Sequence, residues 1–246
     1  MKSRLQHKEW ISVLCAPLRG AALLVAVMLL PLIVANQVAQ AQTFTVFHAF
    51  GCSPNDGGGP IATLIQDAAG NFYSTTIGGG TKNEGTVYKL SKTGKETVLY
   101  SFHQAGSASP VVRDAAGNLY GFTQFGGVHA AGTVFKLNKT GKETLLYSFT
   151  GGADGSSPHG DLARDKAGNL YGSTVYGGGT GCGGPGCGTV FELDPSGKET
   201  VLYSFTGGTD GSSPWVGLYR DKAGTLYGTA SSGGISSCGT VFKLIP

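Results

Sequence analysis

A unit of about fifty residues occurs four times in tandem, and this repeat limits the possible folds more than any other feature of the chain. Each copy carries versions of the same segments, in the order T-V-L-Y-S-F, D-G-x-x-P, D-x-A-G-N-L-Y-G, G-T-V-F-K-L and G-K-E. With small insertions, the units are 45–96, 97–143, 144–199 and 200–246. Periods of about 20–50 residues are typical of solenoids and propellers, in which similar units stack against one another.

Each unit is predicted to form four short antiparallel strands, which we name a to d. In the third unit these strands are 161–164, 169–174, 189–193 and 200–205. The turns between a and b and between c and d contain Asp and Gly, which favour tight reversals. The strands are rich in Val, Leu, Phe, Tyr and Thr, and the 42 glycines of the chain suit many turns. The sequence therefore predicts an all-β β-propeller in which each unit is one four-stranded blade.

The two ends of the repeat array complement each other. The last unit stops after its c strand at 239–244, whereas 45–50 matches the d strand at 97–102 without a preceding a, b or c strand. Pairing of this N-terminal strand with the last c strand would complete four blades and remove the exposed sheet edges. We therefore expect a closed four-bladed β-propeller. An open four-unit array and a larger propeller assembled from two chains are the alternatives.

The cysteines that follow residue 41 fit this closure. Cys52 lies just after the N-terminal d strand and Cys238 just before the last c strand, so the two would be neighbours in an antiparallel c–d pair. We predict a Cys52–Cys238 disulfide that links the ends and a Cys182–Cys187 disulfide within one loop, although other pairings of four cysteines exist. Such bonds persist in exported proteins.

Residues 1–41 have the features of a signal peptide. A basic segment precedes an apolar run at 21–35, and Ala39-Gln40-Ala41 resembles a cleavage site. The apolar run is shorter than the roughly twenty residues that span a bilayer, and an uncleaved membrane anchor is the alternative. We expect cleavage to leave a single domain, 42–246, that is secreted or periplasmic and does not span the membrane.

The charge of the chain argues against nucleic-acid binding. The chain has 18 Lys and Arg residues and 15 Asp and Glu residues, but 42–246 contains fourteen of each class. No basic stripe interleaved with aromatic residues occurs there. The electrostatic footprint of a nucleic-acid-binding protein is therefore missing.

Three segments of the third unit, 168–172, 188–193 and 199–208, resemble the GloVer tandem repeats of exported bacterial proteins. The resemblance covers essentially all of 42–246. The family is defined by its repeat and not by an activity, so it implies no functional residues. The succession of D-x-A-G-N-L-Y and G-T-V-F-K-L is also similar to NHL-type propellers, which implies a fold only.

Strand order places the variable b–c and d–a loops on one face, where repeat proteins usually bind ligands. The D-G-x-x-P segments of the d–a loops contribute four candidate ligand-binding residues: Asp154, Ser156, Asp210 and Ser212. Their oxygen atoms could bind Ca²⁺, but a single carboxylate in each loop favours a turn-capping role, and we expect no cofactor. The a–b turns carry a recurring aspartate with the same expected role: Asp67, Asp114, Asp165 and Asp221.

Residues that break the repeat are better functional candidates. The position after the loop proline is Ile61, Val111, His159 and Trp215 in successive units. This position begins strand a, the strand expected nearest the axis, so His159 and Trp215 could face each other at the channel mouth. Trp215 would stack on a sugar or aromatic ligand and His159 would form hydrogen bonds, with edge packing as the structural alternative.

Catalytic motifs are missing from the chain, including G-x-S-x-G, a Walker loop and H-E-x-x-H. We therefore expect an exported, monomeric, non-catalytic module that binds an unknown ligand, such as a glycan or surface polymer. The alternative is a small hydrolase or lyase with His159 as general base, assisted by Asp154 or Asp210. A purely structural envelope protein is the third hypothesis.

Overall fold

The computed structural model describes residues 42–103, 109–179 and 181–246. These residues form sixteen β-strands and contain no helical residue. Within the same ranges, no helix is long or apolar enough to cross a bilayer. The predicted signal peptide at 1–41 lies outside the described residues.

The strands form four antiparallel sheets, one for each repeat unit. The first sheet contains β1 (Gly57–Pro60), β2 (Ile65–Gln66), β3 (Phe72–Gly79), β4 (Thr86–Leu90) and β5 (Glu96–Ser101). The second contains β6 (Val112–Arg113), β7 (Leu119–Thr123), β8 (Thr133–Leu137) and β9 (Glu143–Ser148). The third contains β10 (Ser156–Arg164), β11 (Leu170–Tyr176), β12 (Thr189–Leu193) and β13 (Glu199–Ser204). The fourth contains β14 (Tyr219–Arg220), β15 (Leu226–Ala230) and β16 (Thr240–Leu244).

Strands within each sheet pair in chain order, as the a-to-d interpretation predicts. In the third sheet, the c strand β12 has the predicted bounds. Strand a starts five residues earlier than predicted, because Ser156 already pairs with Tyr176 of β11. In the first sheet, β1 and β2 pair with the two halves of β3 and together correspond to β10.

Phenylalanine side chains hold consecutive sheets together. The phenylalanine that follows each d strand packs edge-to-face on a c-strand ring of the next sheet. The three pairs have centroids 5.3, 5.1 and 5.2 Å apart and are Phe102–Phe135, Phe149–Phe191 and Phe205–Phe242. Burial of one such ring contributes about 2 kcal/mol, and the edge-to-face geometry adds about 1 kcal/mol. Each sheet is therefore positioned by the one before it.

Residues 45–50 occupy the d position in front of the first sheet, but they form no strand. Phe50 packs on Tyr88 of β4 with centroids 5.1 Å apart, and Phe47 packs on Phe72 of β3 at 5.8 Å. Among the described strands, β16 pairs with β15 alone, so the fourth sheet has three strands. The predicted pairing of 45–50 with the last c strand is therefore not formed. Residues 45–50 contact the first sheet through Phe47 and Phe50, and these contacts do not depend on pairing with β16.

The cysteines show the same division. Cys182 and Cys187 form the predicted disulfide, with Cα atoms 5.4 Å apart. Cys52 and Cys238 are free and exposed, so the predicted Cys52–Cys238 disulfide is not formed. That prediction depended on the pairing of 45–50 with β16, which the structure lacks.

The aspartates of the a–b turns have the predicted capping role. Asp67 accepts hydrogen bonds from the side-chain and backbone N–H groups of Asn71 and from the Tyr73 hydroxyl. These bonds stabilise the charged carboxylate and lower the pKa of Asp67 far below its usual range. Equivalent backbone N–H bonds are accepted by the other three aspartates, Asp114, Asp165 and Asp221.

Two acidic residues meet at the junction of the second and third sheets. The Tyr147 hydroxyl donates to the carboxylate of Asp154 at 3.0 Å. Glu199, at the start of β13, lies in the field of the same carboxylate, and its Oε1 is buried without a hydrogen-bond partner among the described residues. Burial and the charge of Asp154 raise the pKa of Glu199 to about 7.

The third and fourth units make backbone contact at two glycines. A Cβ at Gly160, whose φ is +81°, would lie 2.2 Å from the backbone nitrogen of Gly217. A Cβ at Gly217 would lie 2.2 Å from the backbone nitrogen of Asp161. The Leu218 N–H donates to the Asp161 carbonyl at 3.3 Å across the same contact. Only glycine fits at either position, and the contact fixes where the two strand-a ends meet.

We expect Gly160→Ala to lower the free energy of unfolding by about 3 kcal/mol, because a positive φ costs about 1 kcal/mol and the clash adds about 2 kcal/mol. The matched control is Gly183→Ala, since Gly183 has a φ of +77° but no atom within 4 Å of an added Cβ. That control should lose only about 1 kcal/mol. Urea denaturation measures both values, and equal losses would contradict the proposed contact.

The raised pKa of Glu199 predicts that the stability of the protein depends on pH. Since its folded-state pKa of about 7 exceeds the ordinary value of 4.5, the folded state binds more protons between these values. Stability contributed by this group is present below pH 4.5 and is lost as the pH rises through 7. As the pH rises from 4.5 to 7, the free energy of unfolding of Glu199→Gln should therefore increase by about 1 kcal/mol relative to that of wild type, after discounting for solvent screening. Glu192→Gln is the matched control in urea denaturation, and an equal gain in both variants would refute the assignment.

Candidate functional site

The strand-a ends of all four units converge on one pocket of about 230 Å³. Each unit contributes lining residues, including Ile61, Pro110, His159 and Trp215 in order. The pocket lies on the face that carries the d–a and b–c loops, and these loops are joined within a unit. In the third unit, for example, the Gly178 N–H donates to the Gly152 carbonyl at 3.0 Å.

His159 and Trp215 are in direct contact, as their equivalent positions in the repeat predict. His159 lies in β10, and Trp215 lies in the loop before β14. Their ring centroids are 4.8 Å apart with an interplanar angle of 70°. Trp215 remains 39% exposed, so much of the indole is free to contact a ligand.

A hydrogen bond fixes the tautomer of His159. Its Nδ1 lies 2.8 Å from the carbonyl oxygen of Trp215, and a carbonyl oxygen can only accept. Nδ1 therefore carries a proton, and in the neutral ring Nε2 has the free lone pair. The histidine can accept a hydrogen bond or a proton from a group in the pocket.

Asp161 lines the same pocket and was not identified from the sequence. Partial desolvation at the pocket wall raises the pKa of its carboxyl above the usual range. The signal that could have found it is the one that found His159, since Asp161 stands where the fourth unit has Gly217. Gln124, from the b–c loop of the second unit, adds an amide to the lining.

The proposed equivalence of Val111 with His159 is wrong. Val111 is 1% exposed and lies in the core of the second unit. A Cβ added at Gly121 would lie 3.2 Å from the side chain of Val111. Leu162 makes the same contact at Gly172, so Leu162 is the true counterpart of Val111. The d–a loop of the second unit is shorter, which moves the residue after the proline into the core.

The candidate loop residues do not line the pocket at the strand-a ends. Asp154 accepts hydrogen bonds from Tyr147 and from the Thr150 N–H, the latter at 2.7 Å. Asp210 has the equivalent partners Tyr203 and Thr206. The two serines lie in β structure, where Ser156 pairs with Tyr176 and Ser212 with Ser232. These aspartates thus act as loop caps, and the acid–base pairing of His159 with Asp154 or Asp210 has no support in the geometry.

One group of described residues has ligand atoms close enough to hold a cation, and it includes Asp56, the aspartate of the D-G-x-x-P segment in the first unit. His48 Nε2 is 3.2 Å from Glu96 Oε2 and 3.7 Å from Asp56 Oδ1. Burial and the neighbouring Asp56 raise the pKa of Glu96 to about 8. Spacing along the sequence does not reveal His48 as a partner of Glu96, because the two residues lie 48 positions apart. The signal for His48 was a repeat break, since the other units have tyrosine at this d-strand position.

Solved structures with a similar fold include larger proteins. A protein of unknown function from Bacteroides thetaiotaomicron is similar over 81% of this chain and 50% of the Bacteroides chain, with a TM-score of 0.51 and 14% identity. A luciferin-regenerating enzyme matches 75% of this chain and 60% of its own, with a TM-score of 0.50 and 14% identity. A candidate gluconolactonase matches 74% of this chain and 63% of its own, with a TM-score of 0.45 and 18% identity. The chain thus spans between half and two thirds of these proteins. The likeness to the first two shows a β-propeller-like fold alone.

Among curated proteins, transcription initiation factor IIB of Dictyostelium discoideum is 33% identical over 78 residues. The match covers 30% of this chain and 23% of the relative. The chain therefore spans less than a quarter of that protein, and the match carries no argument about function.

The family comparison agrees with the resemblance found in the repeat itself. A family model described as the Gloeobacter/Verrucomicrobia repeat matches residues 34–185, which is more than half of the chain. The matched range includes the first two units and most of the third. The chain belongs to the Gloeobacter/Verrucomicrobia repeat family.

Proposed function

We propose that this protein is an exported binding module whose pocket at the strand-a ends takes one sugar residue of a glycan or surface polymer. The observation that carries the proposal is the contact between His159 and Trp215 within a pocket that all four units line. Repeat scaffolds bind ligands on concave surfaces built from several units and through residues of their loops. Export is supported by the signal-like segment and by the Cys182–Cys187 disulfide.

The chemistry of the pocket suits a neutral polyhydroxylated ligand. The exposed indole of Trp215 offers an apolar face on which a sugar ring can stack. Around it, His159 Nε2 accepts hydrogen bonds, Gln124 both donates and accepts, and the partly desolvated Asp161 favours a neutral partner. The volume of about 230 Å³ is below that of a drug-sized site, which fits a single sugar residue.

The position of the tryptophans gives a direct assay. The chain has two, Trp10 and Trp215, so a protein that lacks residues 1–41 fluoresces from Trp215 alone. Titration with sugars identified on a glycan array should shift this emission saturably. Trp215→Ala should abolish array binding, and His159→Ala should weaken affinity about tenfold through loss of a hydrogen bond.

The matched control for the aromatic truncation is Tyr219→Ala, because Tyr219 is 69% exposed and does not line the pocket. This variant should bind like wild type. A silent array, together with unchanged Trp215 emission in every sugar, would overturn the proposed function.

A second candidate, hydrolysis of a sugar ester or lactone, is favoured because His159, whose Nε2 has a free lone pair, lines the same pocket as Asp161. In this alternative, His159 would act as general base on a water molecule. This alternative would be established if the wild-type protein hydrolysed a lactone and the His159→Gln variant did not, while that variant still bound the lactone through Trp215. Binding without turnover would leave the non-catalytic module.

A further inference from the structure

We propose that two copies of this chain join by their free edges, with residues 45–50 of one copy adding as the missing d strand to β16 of the other. Two such junctions close the pair, because each copy has one edge of each kind. The inference is independent of the proposed sugar binding. It replaces the expected monomer, which presupposed closure within one chain.

The edge of β16 is an unfilled c-strand edge. Val241 is 81% exposed, whereas the equivalent Val87, Val134 and Val190 are each 0% exposed beneath their d strands. A groove of about 320 Å³ runs beside β16, lined by Val241, Phe205 and other residues. An exposed sheet edge with apolar side chains is a template for another strand.

Residues 45–50 have the sequence of a d strand, but they form no strand and have no c-strand partner. Their sequence, T-V-F-H-A-F, matches T-V-L-Y-S-F at 200–205. Phe50 already makes the d-to-c contact with the following sheet, on Tyr88, as Phe205 does on Phe242. The opposite side of the segment is free, and Val46 is 65% exposed.

The third sheet shows the register that the two edges would adopt. There Thr189 pairs with Ser204, Val190 with Tyr203 and, after a bulge, Phe191 with Val201. The β4–β5 and β8–β9 pairs have their bulge at the same place. By equivalence, Ala49 would pair with Thr240, His48 with Val241 and Val46 with Phe242.

The free cysteines support this register through a distance in the third sheet. Cys52 corresponds to Gly207 and Cys238 to Cys187, and both Cys52 and Gly207 have a positive φ, of 54° and 80°. A Cβ built at Gly207 lies 3.0 Å from the Cys187 sulfur. Bonded cysteines place the Cβ of one at about this distance from the sulfur of the other, since the S–S bond is about 2.05 Å. Pairing of the edges would therefore bring Cys52 and Cys238 to bonding distance.

A second copy is the occupant that fits these edges best. In one chain both edges are exposed, and both cysteines are free. The four sheets superpose on half the length of the Bacteroides protein, so they follow the course of part of a larger structure. A second copy supplies sheets that continue this course and strand edges of matching sequence.

The test begins with the mass of the exported protein in solution under reducing conditions, measured by light scattering after size exclusion. We expect twice the monomer mass. Val241→Lys should give monomers, because a charge would be buried under the added strand. The matched control Val128→Lys, at an exposed site away from β16, should remain a dimer.

The covalent test mixes Cys52→Ser chains with Cys238→Ser chains and adds oxidised glutathione. Two thiols are then oxidised to one disulfide, and their two electrons and two protons reduce glutathione disulfide to two glutathione thiols. We expect a mixed dimer with one bond, from Cys52 of one copy to Cys238 of the other. Each variant alone should form no Cys52–Cys238 bond.

Three results would overturn the proposal. A monomer with a Cys52–Cys238 bond inside wild-type chains would show closure within one chain. A monomer whose two thiols stay free in oxidised glutathione would show that neither edge is used. A ladder of higher oligomers would show strand addition without a closed pair.

Discussion

The edge-to-face contact between the phenylalanine after each d strand and a c-strand ring of the next sheet is the interaction on which the structure depends. It occurs at each of the three junctions between sheets, and Phe50 makes its counterpart on Tyr88 in front of the first sheet. Because the contact is directional, it stacks the sheets in chain order. Stacking then brings the strand-a ends together and forms the pocket that holds His159 and Trp215.

The same directionality makes the two ends of the array different. The leading end presents a d-type segment that is already seated on the first sheet, and the trailing end presents β16 with Val241 uncovered. These ends are complementary in sequence and in hydrogen-bonding capacity, and they remain separate in one chain. The free thiols of Cys52 and Cys238 mark the two edges.

Much of this architecture could be predicted from the repeat because its signals are local. The c strand β12 and the capping role of Asp165 follow from alternation and turn chemistry within a few residues. The His159–Trp215 contact was predictable because equivalent repeat positions meet near an axis.

The errors concern features that are not local. Closure depends on the angle between stacked sheets, which no single unit encodes, so the match between the chain ends was insufficient to predict it. Val111 was misassigned because the units were aligned on the loop proline and the second d–a loop is shorter. Alignment on the aspartate of the a–b turn places Val111 with Leu162. The contact of His48 with Glu96 could not be predicted from local sequence, because Glu96 comes from the next d strand, 48 residues away.

Amide hydrogen exchange at several protein concentrations tests the central claim, that the stacked sheets leave both edges open in a single chain. The account predicts that β12 is protected at every concentration, whereas the amides of β16 that face the missing strand exchange rapidly in dilute protein and slow as the concentration rises. Slow exchange in β16 that does not change on dilution would show that one chain closes its own edges, and would contradict the account.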